Sequence, residues 1–479
     1  MYDLGSSRAP AEKIKCTAVV CGGSISGLLT ARVCRDHFEN VLIVEPEGWL
    51  NSEDAKRVNS WNQENIRSLV MQYGSLQGVQ VFAYSGFCKL FPGFESECKA
   101  SDINVCPGDF RTSTWGMWTM TPYAEYDGCL PKTMFASRRG LETLIRRLVL
   151  GVRYENIEQI TGTGTVTGVS RNCSNPQYLD QVTIRTASGI RTVQVSMVAD
   201  CTGPACAGIK WLKQEGFGTA ADYPRGKLPL YELEIAYDQK IHYSTLHFHV
   251  PKEVGNRLPG LLTDYDDCGP IYNCTTDYTV DHRSTYAQRV EGNIVQVCCG
   301  AWGDVDLPQT LDEVKHYVRA MVTKRLIPDW FFSCLDILDE VQDSMTCTAS
   351  RPPPTTHVRF EKAVNLPSNW VAIGDSVMKV NAVFGQGCTK ALLGAVCLNT
   401  MLVGVKTTVA LPRSFSQMFF QTQGAKIAPL SKAGDYGYET TNPVPGERLS
   451  KGWFLRWYIR KLHILAFTDK QSLRMGPIP

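Results

Sequence analysis

The chain has 479 residues, 49 lysines and arginines against 47 acids, a formal net charge of +2, and 43% hydrophobic residues. That balance belongs to an ordinary globular protein of one large or two interleaved domains, and it excludes a mostly disordered chain. It calls for no nucleic-acid partner, and no uncharged apolar stretch reaches the ~18 residues of a membrane-spanning helix.

Met1 to Lys15 lacks the apolar centre of a secretory signal, so a cytoplasmic protein with reduced cysteines is expected from the 18 present. No CxxC pair and no His/Cys cluster with zinc spacing occurs, and no metal site is expected. The sequons Asn172-Cys-Ser and Asn273-Cys-Thr are read as chance matches.

In chain order, Ala18–Cys21 has the short apolar look of a buried parallel strand, Gly22–Gly27 that of a turn, and Leu28–Phe38 the spacing of an amphipathic helix. Val41–Glu45 follows as a second buried strand and completes a βαβ unit. Phe82 to Pro131 is rich in aromatics, glycine and cysteine and shows no clear period. Ser137–Leu150 is predicted as a helix with Ser137 as its N-cap. Thr161–Val169 and Val182–Val195 alternate and predict a small antiparallel meander, and Met197–Gly203 reads as one more buried strand entering a glycine turn. From about Glu215 to Thr346 tyrosine, histidine and proline rise, which predicts a β-rich domain inserted into the first. Trp370–Ile373 is a further short strand, and Lys390–Leu402 a helix.

The glycine turn, Gly22-Gly-Ser-Ile-Ser-Gly27, matches GxGxxG at its first and third glycines, with Ser24 at the second. In such a turn the glycines serve the tight bend, the approach of a pyrophosphate and the close packing of helix on strand. Glu45 stands at the end of the second strand, where a carboxylate accepts hydrogen bonds from a ribose diol. A second constellation, Gly374-Asp375 followed by Gly385-Gln386-Gly387, runs into a helix. Its glycine turn offers free N–H groups and the positive end of the helix dipole. Ser376 to Lys379 also fits SxxK, but the companion motifs of a serine hydrolase are missing.

Together with the Ser137-Arg138-Arg-Gly-Leu-Glu142 helix start, these elements resemble the class A (single-component) FAD-dependent monooxygenases, the group of aromatic and ubiquinone-pathway hydroxylases. The match is closest to a microbial branch that includes fungal enzymes of secondary metabolism. The resemblance covers residues 18 to 402 in the family's order. It implies an α/β fold, with a Rossmann-like FAD-binding domain of the glutathione-reductase type, an inserted β-rich substrate domain and a C-terminal helical region. Residues 15–82, 132–214 and 346–402 would form the first domain, 83–131 and 215–345 the second, and 403–479 the helical region.

The resemblance assigns Gly22, Ser24, Gly27, Glu45, Arg138, Asp375, Gly385, Gln386 and Gly387 to FAD. Asp375 would hold a ribose or ribityl hydroxyl, and the Gly385–Gly387 turn would face the flavin pyrimidine edge. NADPH or NADH would be the electron donor, and a small hydrophobic substrate and molecular oxygen the partners. Reduced FAD and oxygen would form a C4a-hydroperoxyflavin whose distal oxygen hydroxylates or epoxidises a natural-product intermediate. The alternative is a flavin oxidoreductase without oxygen transfer: a dehydrogenase, a reductase or a redox-neutral cyclase. Departures from the family pattern over Asp200–Ala207 and at Ala382 favour that alternative. A flavin halogenase shares the fold, but its WxWxIP signature is absent. A degenerate binding protein without FAD is opposed by Glu45, Asp375 and the GQG turn.

His247 and His249 would share one face of a strand and are read as structural rather than catalytic. Trp453–Phe467 mixes aromatics with cations, and it reads as core packing of a last helix rather than peripheral contact with a membrane.

Overall fold

The computed structural model describes residues 3–238 and 240–438, with side chains to residue 430, and a few positions between 450 and 461. Two sheets of seven strands organise it. In the first, Ile157–Gln159, Phe38–Val44, Ile14–Cys21, Gly189–Asp200 and Trp370–Ala372 run parallel in that spatial order. Their central residues, Val19, Val20, Ile43, Val198 and Val371, are fully buried, as strands covered on both faces require.

The helix after the first strand runs Ile25–His37 and packs against Gly387–Val403. It starts inside the glycine turn, earlier than the apolar spacing from Leu28 suggests, because Gly27 lies in its first turn against the Gly22 carbonyl. The end of the segment expected over 182–195 and the strand expected from Met197 are one strand, Gly189–Asp200, while Val182–Thr186 belongs to the strand before it. Its first half pairs antiparallel with Leu179–Thr186, which in turn pairs with Gly164–Arg171. Its second half lies parallel between Ile14–Cys21 and Trp370–Ala372. No turn residue interrupts Val193 to Val198, so nothing ends the strand there.

The second sheet runs Thr346–Ser350, Ile241–His249, Ile294–Trp302, Arg283–Val290, Pro270–Thr275, Thr112–Thr114, Met117–Trp118. Helices Leu311–Arg319 and Asp329–Leu338 cover one face, where Leu246, Phe248, Val295, Val297, Val314 and Phe331 form a second core. The first of these helices opens on a capping box between Thr310 and Glu313.

The stretch from 83 to 100 differs from its assignment to the substrate domain. It forms helices Val81–Leu90 and Phe94–Ala100, whose Phe87, Leu90, Phe91 and Phe94 lie in the first core. The spacing Ala83, Phe87, Leu90, Phe94 is helical, and the Pro92-Gly93 break obscures it in the sequence. Thr346–Ser350 likewise closes the second sheet rather than opening the return to the first.

Phe415–Tyr438 is a long helix that carries Pro429. Most of Trp453–Phe467 lies outside the described residues; Trp453, Phe454 and Trp457 are described and exposed, not packed in a core. No helix of the described residues is long and apolar enough to cross a membrane, and none of their His, Cys, Asp and Glu side chains cluster as a metal site.

Candidate functional site

The glycine turn is shaped by contacts that forbid side chains. Gly22 has φ 114°, and a Cβ there would lie 2.3 Å from the Cys201 carbonyl oxygen. A Cβ on Gly27 would lie 1.8 Å from the Gly22 carbonyl oxygen, so the helix can sit this close to the strand only with glycine. Ser24 occupies the N-cap position without capping the helix. Its hydroxyl instead donates to Glu142 Oε2 at 3.1 Å and accepts from Arg138 Nη2 at 2.8 Å. Glu45, 2% exposed, accepts from the backbone N–H of Gly23 at 2.7 Å and of Glu47 at 3.1 Å.

Behind the turn lies a buried charge network that the sequence did not single out. Arg67 pairs with Glu45, Glu47 and Glu142, while Arg146 pairs with Glu142 and donates to the Gly23 carbonyl. Burial pushes the Glu142 carboxyl up, but the guanidiniums of Arg67, Arg138 and Arg146 outweigh it and hold it at about 2. Glu142 therefore stays ionised and fixes Arg138, whose Nη2 it receives at 3.0 Å. The Nε of Arg138 is buried and meets no partner among the described residues. The Ser137 cap forms as expected, with Oγ accepting from the Gly140 N–H at 2.9 Å.

The second constellation sits across the turn. Gly374 has φ 80°, and a Cβ there would fall 2.1 Å from Ser26 Oγ, so this bend rests directly on the first helix. Asp375 keeps 47% of its side chain exposed, while its Oδ1 pairs with Lys390, itself 2% exposed. Lys390, like Arg67, carries no motif; a lysine on a helix gives no signal that it folds back onto a carboxylate fifteen residues earlier in the chain. Gln386 occupies the N-cap position of the helix Gly387–Val403 without a side-chain cap, and the first helical bond is from Lys390 N–H to the Gln386 carbonyl. The N–H groups of Gly387, Cys388 and Thr389 thus have no helical acceptor. Among the described residues the Thr389 hydroxyl is buried without a partner, and a Cβ on Gly387 would meet nothing within 4 Å.

One cavity of about 1600 Å³ joins these pieces. Gly22, Ser24, Glu45, Arg138, Asp375, Gly385, Gln386 and Gly387 line it, and Gly27 does not. Its far wall is the open face of the second sheet, with Tyr243, Asn273, Tyr286, Gln288 and Trp302. The volume exceeds the ~300–1,000 Å³ of a pocket for one small ligand.

Ala382 and the segment Cys201–Ala205 also border the cavity. Asp200 does not: it is fully buried and accepts from Thr202 N–H and Oγ1, Gly208 N–H and Ser376 Oγ. Burial raises its pKa, against the pull of those donors. Ser376 is sealed in the same cluster, which agrees with setting the SxxK pattern aside. His247 and His249 lie outside the cavity lining; His249 is exposed, and burial lowers His247 to about 4.

No protein-family model and no curated protein matches the sequence. Solved structures do match over nearly the whole chain. PqsL of Pseudomonas aeruginosa, a probable FAD-dependent monooxygenase, aligns with a TM-score of 0.55 at 13% identity, covering 96% of this chain and 99% of its own. The flavin-dependent brominase Bmp2 gives 0.54 at 12% identity, covering 95% and 93%. A variant of 2-methyl-3-hydroxypyridine-5-carboxylic acid oxygenase gives 0.53 at 13% identity, covering 95% and 94%. At such identities the likeness is one of architecture, and the chain has the fold that FAD-dependent monooxygenases share with flavin-dependent halogenases.

Proposed function

We propose that this chain is a cytoplasmic class A FAD-dependent monooxygenase, with a Rossmann-like FAD domain of the glutathione-reductase type. It would hydroxylate or epoxidise a small hydrophobic natural-product intermediate, with NADPH or NADH as electron donor. One observation carries the proposal: eight of the residues that the family resemblance assigns to FAD, drawn from distant parts of the chain, line one cavity.

The donor set suits a dinucleotide flavin. The start of Ile25–His37 and the unpartnered Arg138 Nε would hold phosphate oxygens. Glu45 would accept from the adenosine ribose, although the Gly23 and Glu47 N–H groups already occupy part of its lone-pair capacity. Asp375, with one oxygen on Lys390, would turn the other to a ribityl hydroxyl. The free N–H groups of Gly387 to Thr389 would face the pyrimidine edge, where the bare Gly387 lets a planar ring approach the backbone. Bound flavin would supply the electron storage and oxygen activation that no side chain can provide. The protein's part is to orient the substrate between this helix start and the second sheet, to exclude water, and to hold negative charge at the positive helix end.

A second reading, flavin chemistry without oxygen transfer, draws on the inward-turned Asp200, which leaves Cys201 to Ala205 bordering the cavity without a charge. Incubating FAD-loaded protein with NADPH, labelled dioxygen and a panel of phenols and polyenes separates the two. Label in an organic product supports the monooxygenase. NADPH-dependent conversion of a compound without label supports the second reading.

A further inference from the structure

The second sheet has one apolar face, under its helices, and one face open to the cavity. Asn273 lies opposite Tyr286 in the antiparallel register, and Gln288 is two residues farther along the Tyr286 strand. Residues so spaced project from one face, and all three line the cavity.

The orientation of Gln288 is set from the neighbouring strand, where Gln296 lies opposite it. Its Nε2 donates to Gln296 Oε1 at 3.1 Å and, over a longer 3.5 Å, to the Gln77 carbonyl oxygen. Gln296, fully buried, brings its Nε2 to 3.0 Å from His247 Nε2. An amide nitrogen only donates, so His247 Nε2 is the acceptor and the ring is neutral with its proton on Nδ1. Burial and the nearby Arg139 cation both oppose a charge on this ring. Gln296 thus turns its nitrogen to the ring and its oxygen to Gln288, and both N–H groups of Gln288 are engaged. Its Oε1 meets no donor among the described residues and is not sealed in the core. Asn273 repeats the arrangement: its Nδ2 donates to the Phe110 carbonyl at 2.5 Å, and its Oδ1 meets no donor among the described residues. Asn273 belongs to a glycosylation sequon in the sequence, yet here its amide lines an interior wall.

We infer that Asn273 and Gln288 are specificity-determining acceptors that select a substrate presenting hydroxyl or N–H donors to this wall, and that disfavour one presenting a carboxylate there. The inference rests on the cavity being the substrate site of a flavin enzyme. His247 and Gln296 are positioning residues that act through Gln288. A carboxylate or an ether placed against two carbonyl oxygens finds no donor, and it loses the hydrogen bonds it made in water.

The test measures binding of naphthol, its methyl ether and naphthoate to the full chain by ligand-observed NMR, with and without FAD. Naphthol is expected to bind about tenfold more tightly than either of the other two. Gln288→Met is expected to bring naphthol and the ether within about twofold while leaving the ether unchanged. Gln296→Met, which keeps Gln288 but frees its amide to rotate, is expected to narrow the preference as well, and it serves if Gln288→Met does not fold. Equal binding of naphthol and ether to the wild type, an undiminished preference in the folded variants, or no binding of any probe overturns the inference. A naphthol preference in protein that takes up no FAD would sink the flavin reading alone; FAD uptake without the preference would sink this inference alone.

Discussion

Arg138 Nη2 lies 2.8 Å from Ser24 Oγ, so the residue that breaks the three-glycine pattern is the one that receives an arginine of the cavity wall. The serine supplies an acceptor where glycine has none, and Glu142 supplies a second at 3.0 Å. Arg138→Met should weaken FAD binding by roughly 10–100-fold, the loss of a charge-assisted contact to phosphate. Ser24→Gly leaves Glu142 in place and should weaken it by no more than about fivefold. Fluorescence titration with FAD reads both, and a larger loss in Ser24→Gly than in Arg138→Met would contradict this arrangement.

Two glycines should separate fold from site. Gly27→Ala puts a methyl group into the Gly22 carbonyl, which is backbone and cannot step aside, and the variant should fail to give folded protein. Gly387→Ala meets open space at a helix start, so stability should stay within about 0.5 kcal/mol of wild type. FAD affinity should nevertheless fall, because the methyl group stands where the ring is proposed to approach. Thermal unfolding and FAD titration of the second variant are the two measurements; unchanged FAD affinity would move the ring away from Gly387.

Glu142 ties stability to acid pH. Its folded pKa of about 2 lies below its ordinary 4.5, so the unfolded chain binds the proton more readily. The stabilisation is full above about pH 4.5 and is lost as pH falls towards 2, on the order of 3 kcal/mol in all. Glu142→Gln leaves three arginines facing fewer carboxylates and should cost about 3–5 kcal/mol at neutral pH. Urea unfolding against pH checks both, and a variant as stable as wild type would show that Glu45 and Glu47 suffice for the arginines.

Two histidines act in a higher window. Burial, the first cause in each case, lowers His247 and His357 to about 4, with neighbouring cations adding to it. Both are neutral in the folded chain and titrate near 6.5 once unfolded. Their contribution is present above pH 6.5 and is lost as pH falls to about 4. Stability should therefore drop between pH 6.5 and 4 by up to about 1.4 kcal/mol per pH unit for each. His357→Gln should make that limb shallower. An unchanged slope would place the charged ring in reach of water.

Much of this was legible in the chain because the relevant constraints are local. Glycines at Gly22, Gly27, Gly374 and Gly385 answer to close approach or positive φ, and each leaves a mark at fixed spacing. The Ser137 cap needs only three residues. What could not be read is what long-range packing decides. Arg67, Glu47 and Lys390 carry no motif, and their partners are set by how strands bring distant segments together. The helices over 81–100 were hidden by a break at Pro92-Gly93, and the long strand Gly189–Asp200 by its change of partners midway.

The most direct test of the central claim is the visible spectrum of the protein after FAD reconstitution, followed anaerobically as NADPH is added. A bound flavin band that bleaches on titration is expected. No flavin band in the reconstituted protein would contradict it.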